Sequence, residues 1–228
     1  MIKVILWDVD ATLLNFRKSE KYGIRKCFSD FSLGKCTDEM LKHYSAINAK
    51  YWEKLERAEI GREEVLHGRF REFFEKEGIR FDRTDEFNER YQFCLGEKIF
   101  YNDNSFELVR SLKPLVKQYA VSNGTLAAQE RKLHNSGFDS LLDGVFISEQ
   151  LGVEKPDRRF FDAVWKQTGR YERDEAVIVG DSLTSDMQGG INAGILTCWY
   201  NPCGIENTKH IKCDFEISDL NQVKQLLQ

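Results

Sequence analysis

Ile2-Lys3-Val4-Ile5-Leu6-Trp7-Asp8-Val9-Asp10-Ala11-Thr12-Leu13 is the stretch that decides the fold. Ile2 to Trp7 is almost continuously apolar rather than alternating, the pattern of a strand covered on both faces, as in a parallel sheet. Comparable runs occur at Leu115 to Val121, Ala176 to Val179 and Ile195 to Tyr200, with Gly144 to Ile147 a weaker candidate. Helix-like stretches lie between them at Ser105 to Lys113, Ala127 to Ser136, Arg158 to Thr168 and Asp186 to Ala193. Strand alternating with helix predicts an α/β, doubly wound parallel-sheet core.

The interval from Asn15 to about Phe100 breaks the alternation. It is charged and aromatic, holds no proline, and places Val65, Leu66, Phe70, Phe73 and Phe74 in one helical stripe and Phe87, Tyr91 and Cys94 in another. The expectation is an inserted helical domain at 15–100, with the core formed by 1–14 and 101–228.

Composition narrows the function. The 228 residues carry 33 Lys+Arg against 37 Asp+Glu, a net charge of −4, which argues against a nucleic-acid polymer as partner. No apolar run approaches the length of a membrane helix, and the apolar start meets an acid by position 8. The six cysteines (Cys27, Cys36, Cys94, Cys198, Cys203, Cys213) form no C-x-x-C pair, so they are expected as free thiols, mostly packed as small hydrophobes, in a reducing cytoplasm. His43, His67, His134 and His210 are dispersed and read as surface or packing residues; Arg158-Arg159 reads as solvated.

Chemistry-bearing residues fall at successive strand ends. Asp8 and Asp10 follow the first strand, at the edge where open α/β sheets bind ligands, although acids also punctuate turns. Ser122-Asn123-Gly124-Thr125 follows the second and precedes a helix, whose unpaired N–H groups can cradle a phosphate; Ser-Asn-Gly is also a common turn. Lys155 stands before Pro156, which holds it extended; it is either a fixed positive charge for an anionic substrate or a solvated lysine at a helix start. Gly180-Asp181-Ser182 ends another strand, with Asp186 five residues on from Asp181, either in a Mg²⁺ site or as a helix cap.

In this order the motifs Asp8-Val9-Asp10-Ala11-Thr12, Ser122-Asn123-Gly124, Lys155-Pro156 and Gly180-Asp181-Ser182 with Asp186 resemble the haloacid dehalogenase-like superfamily over the whole chain. The insert resembles that family's helical cap. Ala11 departs from the glycine or acid common there; it keeps the turn small but supplies no carboxylate.

The resemblance implies a small-molecule phosphomonoesterase. Asp8 would attack phosphorus and become an aspartyl phosphate, and Asp10 would protonate the leaving oxygen and later activate water. On an extended chain the two-residue spacing puts both side chains on one face. Mg²⁺ would be held by Asp8, the Asp10 carbonyl and Asp181, with Lys155 adding positive charge and Ser122 and the Asn123 amide binding phosphoryl oxygens. Asp186 would orient Lys155 or a metal-bound water. The cap would exclude water and select the leaving group, with Phe16, Tyr22, Tyr51 and Trp52 as candidate contacts.

Finer likeness, in Ser122-Asn123-Gly124-Thr125, Gly180-Asp181-Ser182-Leu183-Thr184-Ser185-Asp186, Gly194-Ile195-Leu196-Thr197-Cys198-Trp199-Tyr200-Asn201-Pro202 and Glu216-Ile217-Ser218-Asp219-Leu220, points to the bacterial pyrimidine 5'-nucleotidase branch. The alternatives are a phosphatase of another small metabolite such as a sugar phosphate, a 2-haloacid dehalogenase, or a silent binding module. Asp10 and Asp181 argue against the dehalogenase, which needs neither a second acid nor a metal.

Overall fold

The computed structural model describes residues 1–227. The chain opens with β1 (Val4–Trp7) and leaves it for α1 (Phe16–Asp30), α2 (Asp38–Glu56), α3 (Arg62–Lys76) and α4 (Thr84–Leu95). It returns through α5 (Ser105–Leu112), β2 (Lys117–Ser122), α6 (Leu126–Ser136), β3 (Gly144–Ile147), α7 (Ser148–Leu151) and α8 (Arg158–Thr168). It ends with β4 (Ala176–Gly180), α9 (Gln188–Ala193), β5 (Leu196–Tyr200), β6 (Phe215–Ile217) and a 3₁₀ segment at Leu220–Leu227. Two compact units result: Met1–Asn15 together with the chain from Ile99 onward, and Phe16–Lys98.

In the first unit the described strands form one parallel sheet in the order β3-β2-β1-β4-β5-β6. This is a doubly wound sheet with β1 at its middle, and its direction of winding reverses beside β1, so the crevice for a ligand opens at the carboxyl end of that strand. Side-chain alternation along β1 explains its continuous apolarity. Ile5 and Trp7 enter one buried layer with Leu108, Val109 and Leu133, whereas Val4 and Leu6 enter the other with Phe160, Phe161 and Val164. Trp7 stays compatible with burial because its indole N–H donates to Gln118 Oε1 at 3.0 Å.

The second unit buries an aromatic cluster. Phe28, Tyr44, Phe70, Phe73, Phe87 and Tyr91 meet at its centre, with Tyr44 stacked on Phe70 at 5.3 Å between ring centroids. Its α2 starts at Thr37, whose side chain accepts from the Met40 N–H at 3.2 Å.

Some expectations shift. The apolar run from Leu115 overshoots, because Leu115 lies exposed in the turn before β2. The helix expected from Asp186 begins instead as a π-type turn at Leu183–Met187 before α9. β6 adds an edge strand that the sequence pattern does not announce, since Phe215 and Glu216 are exposed. Among the cysteines only Cys27, Cys94 and Cys198 are buried; Cys36 and Cys213 are half-buried and Cys203 is exposed.

Candidate active site

Asp8 is the first residue beyond β1, and its N–H continues the ladder by donating to Val179 O at 2.9 Å. Its carboxylate is buried. Oδ1 accepts from Lys155 Nζ at 2.9 Å, while Oδ2 is buried with no hydrogen-bond partner among the described residues.

Lys155, on the connection between α7 and α8, is only 1% exposed, so it is not a solvated lysine. Its three N–H groups go to Asp8 Oδ1, to Val121 O at 2.8 Å and to Asp186 Oδ1 at 2.6 Å. The Asn123 side chain clamps its backbone: Nδ2 donates to Lys155 O and Oδ1 accepts from Lys155 N–H, both at 2.8 Å. The same Nδ2 reaches Ser185 Oγ at 3.2 Å. One amide thus ties the turn after β2 to the lysine.

Asp186 reaches the lysine because of the π-type turn and because of Gly180. A Cβ at Gly180 would stand 2.2 Å from Asp186 Oδ2, so a side chain there would displace the carboxylate. Ser182 N–H holds the same oxygen at 3.1 Å. Asp181, just beyond β4, has its carbonyl fixed by the Trp199 indole at 2.9 Å, and Thr12 Oγ1 lies 3.4 Å from its Oδ1.

Asp8, Asp181 and Asp186 can each offer an oxygen within 4.8 Å of the others. Among the described residues, Lys155 is the cation that bonds this group. Burial pushes the Asp8 carboxyl up to about 7, against the pull of Lys155 and with the push of Asp186. Burial, then the charges of Asp8 and Asp186, raises Asp181 well above the ordinary carboxylate range. For Lys155, burial alone would lower the pKa, but the two carboxylates outweigh it and keep the ammonium charged. A buried excess of hard oxygen donors, one of them unpartnered, is the donor set that a small divalent cation satisfies. The residues therefore fit Mg²⁺.

Ser122 is buried at the end of β2, and its Oγ accepts from Gly124 N–H at 3.0 Å. The Asp10 carboxylate lies apart from the acidic group. Lys132 Nζ sits 2.6 and 2.9 Å from its two oxygens, and Gln129 Nε2 donates to Oδ2 at 2.5 Å. The chain between the two acids is not a simple extended strand, because β1 ends at Trp7 and Val9 already lies in a turn; just past Asp10, Ala11 takes a left-handed φ of 66°. The sequence reading missed both α6 partners of Asp10. Their signal was present: a glutamine and a lysine three residues apart just after the Ser-Asn-Gly turn, on the side of α6 that also carries Ala128 and Leu133 inward.

In the second unit, Phe16, Tyr22 and Tyr51 pack against its aromatic core, and Trp52 donates to Asn48 Oδ1 at 3.1 Å.

Comparisons with known proteins identify the family. The profile of the haloacid dehalogenase-like hydrolase family matches residues 2–194. A pyrimidine 5'-nucleotidase, PynA of Streptococcus pneumoniae, is 33% identical over 94% of this chain and 90% of its own. A second, YjjG of Escherichia coli, is 30% identical over 98% and 96%. The crystal structure of the HAD-hydrolase YfnB of Bacillus subtilis, described as bound to magnesium, superposes with a TM-score of 0.92 at 30% identity, covering 100% of this chain and 99% of that one.

Proposed function

Since the chain belongs to the haloacid dehalogenase-like hydrolase family, we propose that it is a Mg²⁺-dependent phosphomonoesterase acting on pyrimidine nucleoside 5'-monophosphates through an aspartyl phosphate at Asp8. One observation carries the reading: Asp8 Oδ2 is buried and unpartnered at the carboxyl end of the central strand, while Lys155 holds Oδ1. A carboxylate fixed by one oxygen presents the other as a nucleophile. The two related nucleotidases support the substrate class.

Asp8 bonds phosphorus as the bond from phosphorus to the ester oxygen breaks, and the Asp10 carboxyl gives its proton to that departing oxygen. Water then attacks phosphorus and leaves a proton on Asp10, and the acyl phosphate bond to Asp8 breaks. Lys155 aligns Asp8, and Asp186 aligns Lys155. The Ser122 hydroxyl and the Asn123 amide bind phosphoryl oxygens. Asp8, Asp181 and the Asp10 carbonyl would hold Mg²⁺, which when bound offsets the charge of the carboxylates and the phosphate dianion.

The test is a panel of nucleoside monophosphates and sugar phosphates, with Mg²⁺ and with chelator. Pyrimidine nucleotides should be the best substrates, chelation should silence the enzyme, and Asp8→Asn should lower turnover by about 10⁴-fold or more in a folded protein. Turnover that survives both chelator and Asp8→Asn removes the reading. A clear preference for sugar phosphates removes only the nucleotide assignment.

A further inference from the structure

Lys132 is 2% exposed, an unusual place for a lysine unless a partner fixes it. The partner is Asp10, whose two oxygens lie 2.6 and 2.9 Å from its ammonium. Gln129, three residues earlier on the same helix face, is fully buried and adds a bond from Nε2 to Asp10 Oδ2. Its Oε1 is buried without a hydrogen-bond partner among the described residues. An unpaired buried carbonyl is unfavourable, so the amide is retained for its N–H alone.

Room for that amide is made elsewhere. A Cβ at Gly124 would lie 2.2 Å from Gln129 Nε2, and Gly124 is not in the left-handed region that would otherwise call for glycine. The glycine of the Ser-Asn-Gly turn is therefore needed for space. Its missing side chain lets Gln129 lie between the turn and Asp10. Had Lys132 and Gln129 only to fill the core, apolar side chains would do so without the desolvation cost.

We propose that Lys132 and Gln129 are positioning residues that fix the Asp10 carboxyl for the leaving oxygen, with Gly124 providing the space. The inference rests on the role given to Asp10 above. Asp10 needs such support because it sits on a bend beside the left-handed Ala11, with its side chain one-quarter exposed. Without the α6 arm its rotamer is unrestrained, and a proton donor displaced by about 1 Å loses much of its effect.

The experiment compares two substrates of the Mg²⁺-loaded enzyme by kcat/KM, which reports the steps up to phosphoryl transfer to Asp8. The nitrophenolate of p-nitrophenyl phosphate departs without a proton, whereas the alkoxide of a pyrimidine nucleoside 5'-monophosphate needs one. For Lys132→Met, kcat/KM for the nucleotide should fall about 10²-fold, and that for the aryl ester by less than about threefold. Gln129→Leu should show the same selectivity to a smaller degree, and Lys132→Arg should recover part of the loss. An equal fall for both substrates, or none for the nucleotide, overturns the proposal. A crystal structure of Lys132→Met, or of Gln129→Leu should the first variant not fold, decides the geometry without activity. The Asp10 carboxylate should leave its place, and an unmoved carboxylate overturns the proposal. A wild-type protein inert toward both esters would instead sink the function proposed above, leaving the crystallographic result to decide the positioning.

Discussion

Each unit buries a polar cluster, and the two differ in how their charges are balanced. In the helical unit, Glu20, Asn48, Arg69 and Asn88 come from α1, α2, α3 and α4 respectively. Asn48 donates to Glu20 Oε1 at 3.0 Å and accepts from Arg69 at 2.7 Å, Arg69 also reaches Asn88 at 3.0 Å, and Ser45 bonds the other oxygen of Glu20. The guanidinium lies over the Phe70 and Tyr91 rings, 4.9 and 5.3 Å from their centroids. One acid is balanced by one base through an amide. At the sheet end, Asp8, Asp181 and Asp186 gather around Lys155, and Asp8 Oδ2 lacks a partner. Arg69 Nε is also buried without a hydrogen-bond partner among the described residues, so neither burial nor one unpartnered atom marks chemistry by itself; an excess of buried like charge does.

The largest effect should come from unbalancing the balanced cluster. Arg69→Met leaves Glu20 buried without its counter-charge and should destabilise the protein by about 3–5 kcal/mol in urea unfolding. Burial already raises the Glu20 carboxyl, so adding Glu20→Gln should restore most of the loss. A neutral Arg69→Met would erase the distinction drawn between the two clusters.

The same contrast explains what the sequence disclosed. Asp8 and Asp181 were legible because strand ends are read locally, from an apolar run that stops at a polar residue, and Lys155 was singled out by the proline that follows it. The network in the helical unit was not legible, because each member sits on a different helix and helical periodicity names a face without naming what lies opposite. Lys132 was missed for a related reason: a lysine on an amphipathic helix reads as solvated until the neighbour that neutralises it is in place. Asp186 stood between the two cases, with its position along the chain visible and its bond to Lys155 dependent on a π-type turn that no propensity foretells. The three-residue β6 lay below any pattern, since only Ile217 is buried.

The unbalanced cluster can be sharpened with pH. The Asp8 carboxyl, ordinarily near 3.8, stands at about 7 in the metal-free fold. Between those values the folded state binds the extra proton, so this group's contribution to stability is present in acid and lost as pH rises through about 7. Magnesium competes for the same oxygens. Asp181, also raised well above the ordinary range, must release its proton too, so affinity should climb with pH by up to about tenfold per pH unit for each proton displaced, Asp8 losing its own by about 7. Titration calorimetry from pH 5.5 to 8.5 reads the curve. A flat profile would mean that Asp8 is ionised throughout and that its charge is already compensated.

The smallest effect is a matched pair of alanines, one in each unit. Ala11 has φ of 66° in the turn after β1, where its N–H donates to Leu14 O at 2.8 Å. Ala58 has φ of 56° just past α2, where its N–H caps Leu55 O at 2.8 Å. A left-handed alanine costs about 1–2 kcal/mol, against which glycine adds about 0.4–1 kcal/mol of unfolded-state entropy. Ala11→Gly and Ala58→Gly should each stabilise by roughly 0.5 kcal/mol, read as matching small rises in the unfolding midpoint. They should part in kinetics. Ala58→Gly should leave turnover unchanged, whereas Ala11→Gly loosens the bend immediately after Asp10 and should lower kcat about two- to threefold, consistent with strain held at a site for geometry. Equal kinetics for the pair would show that the hydrogen bonds from α6 and Asn102 hold that bend unaided, Asn102 Nδ2 donating to the Ala11 and Thr12 carbonyls at 3.1 and 2.9 Å.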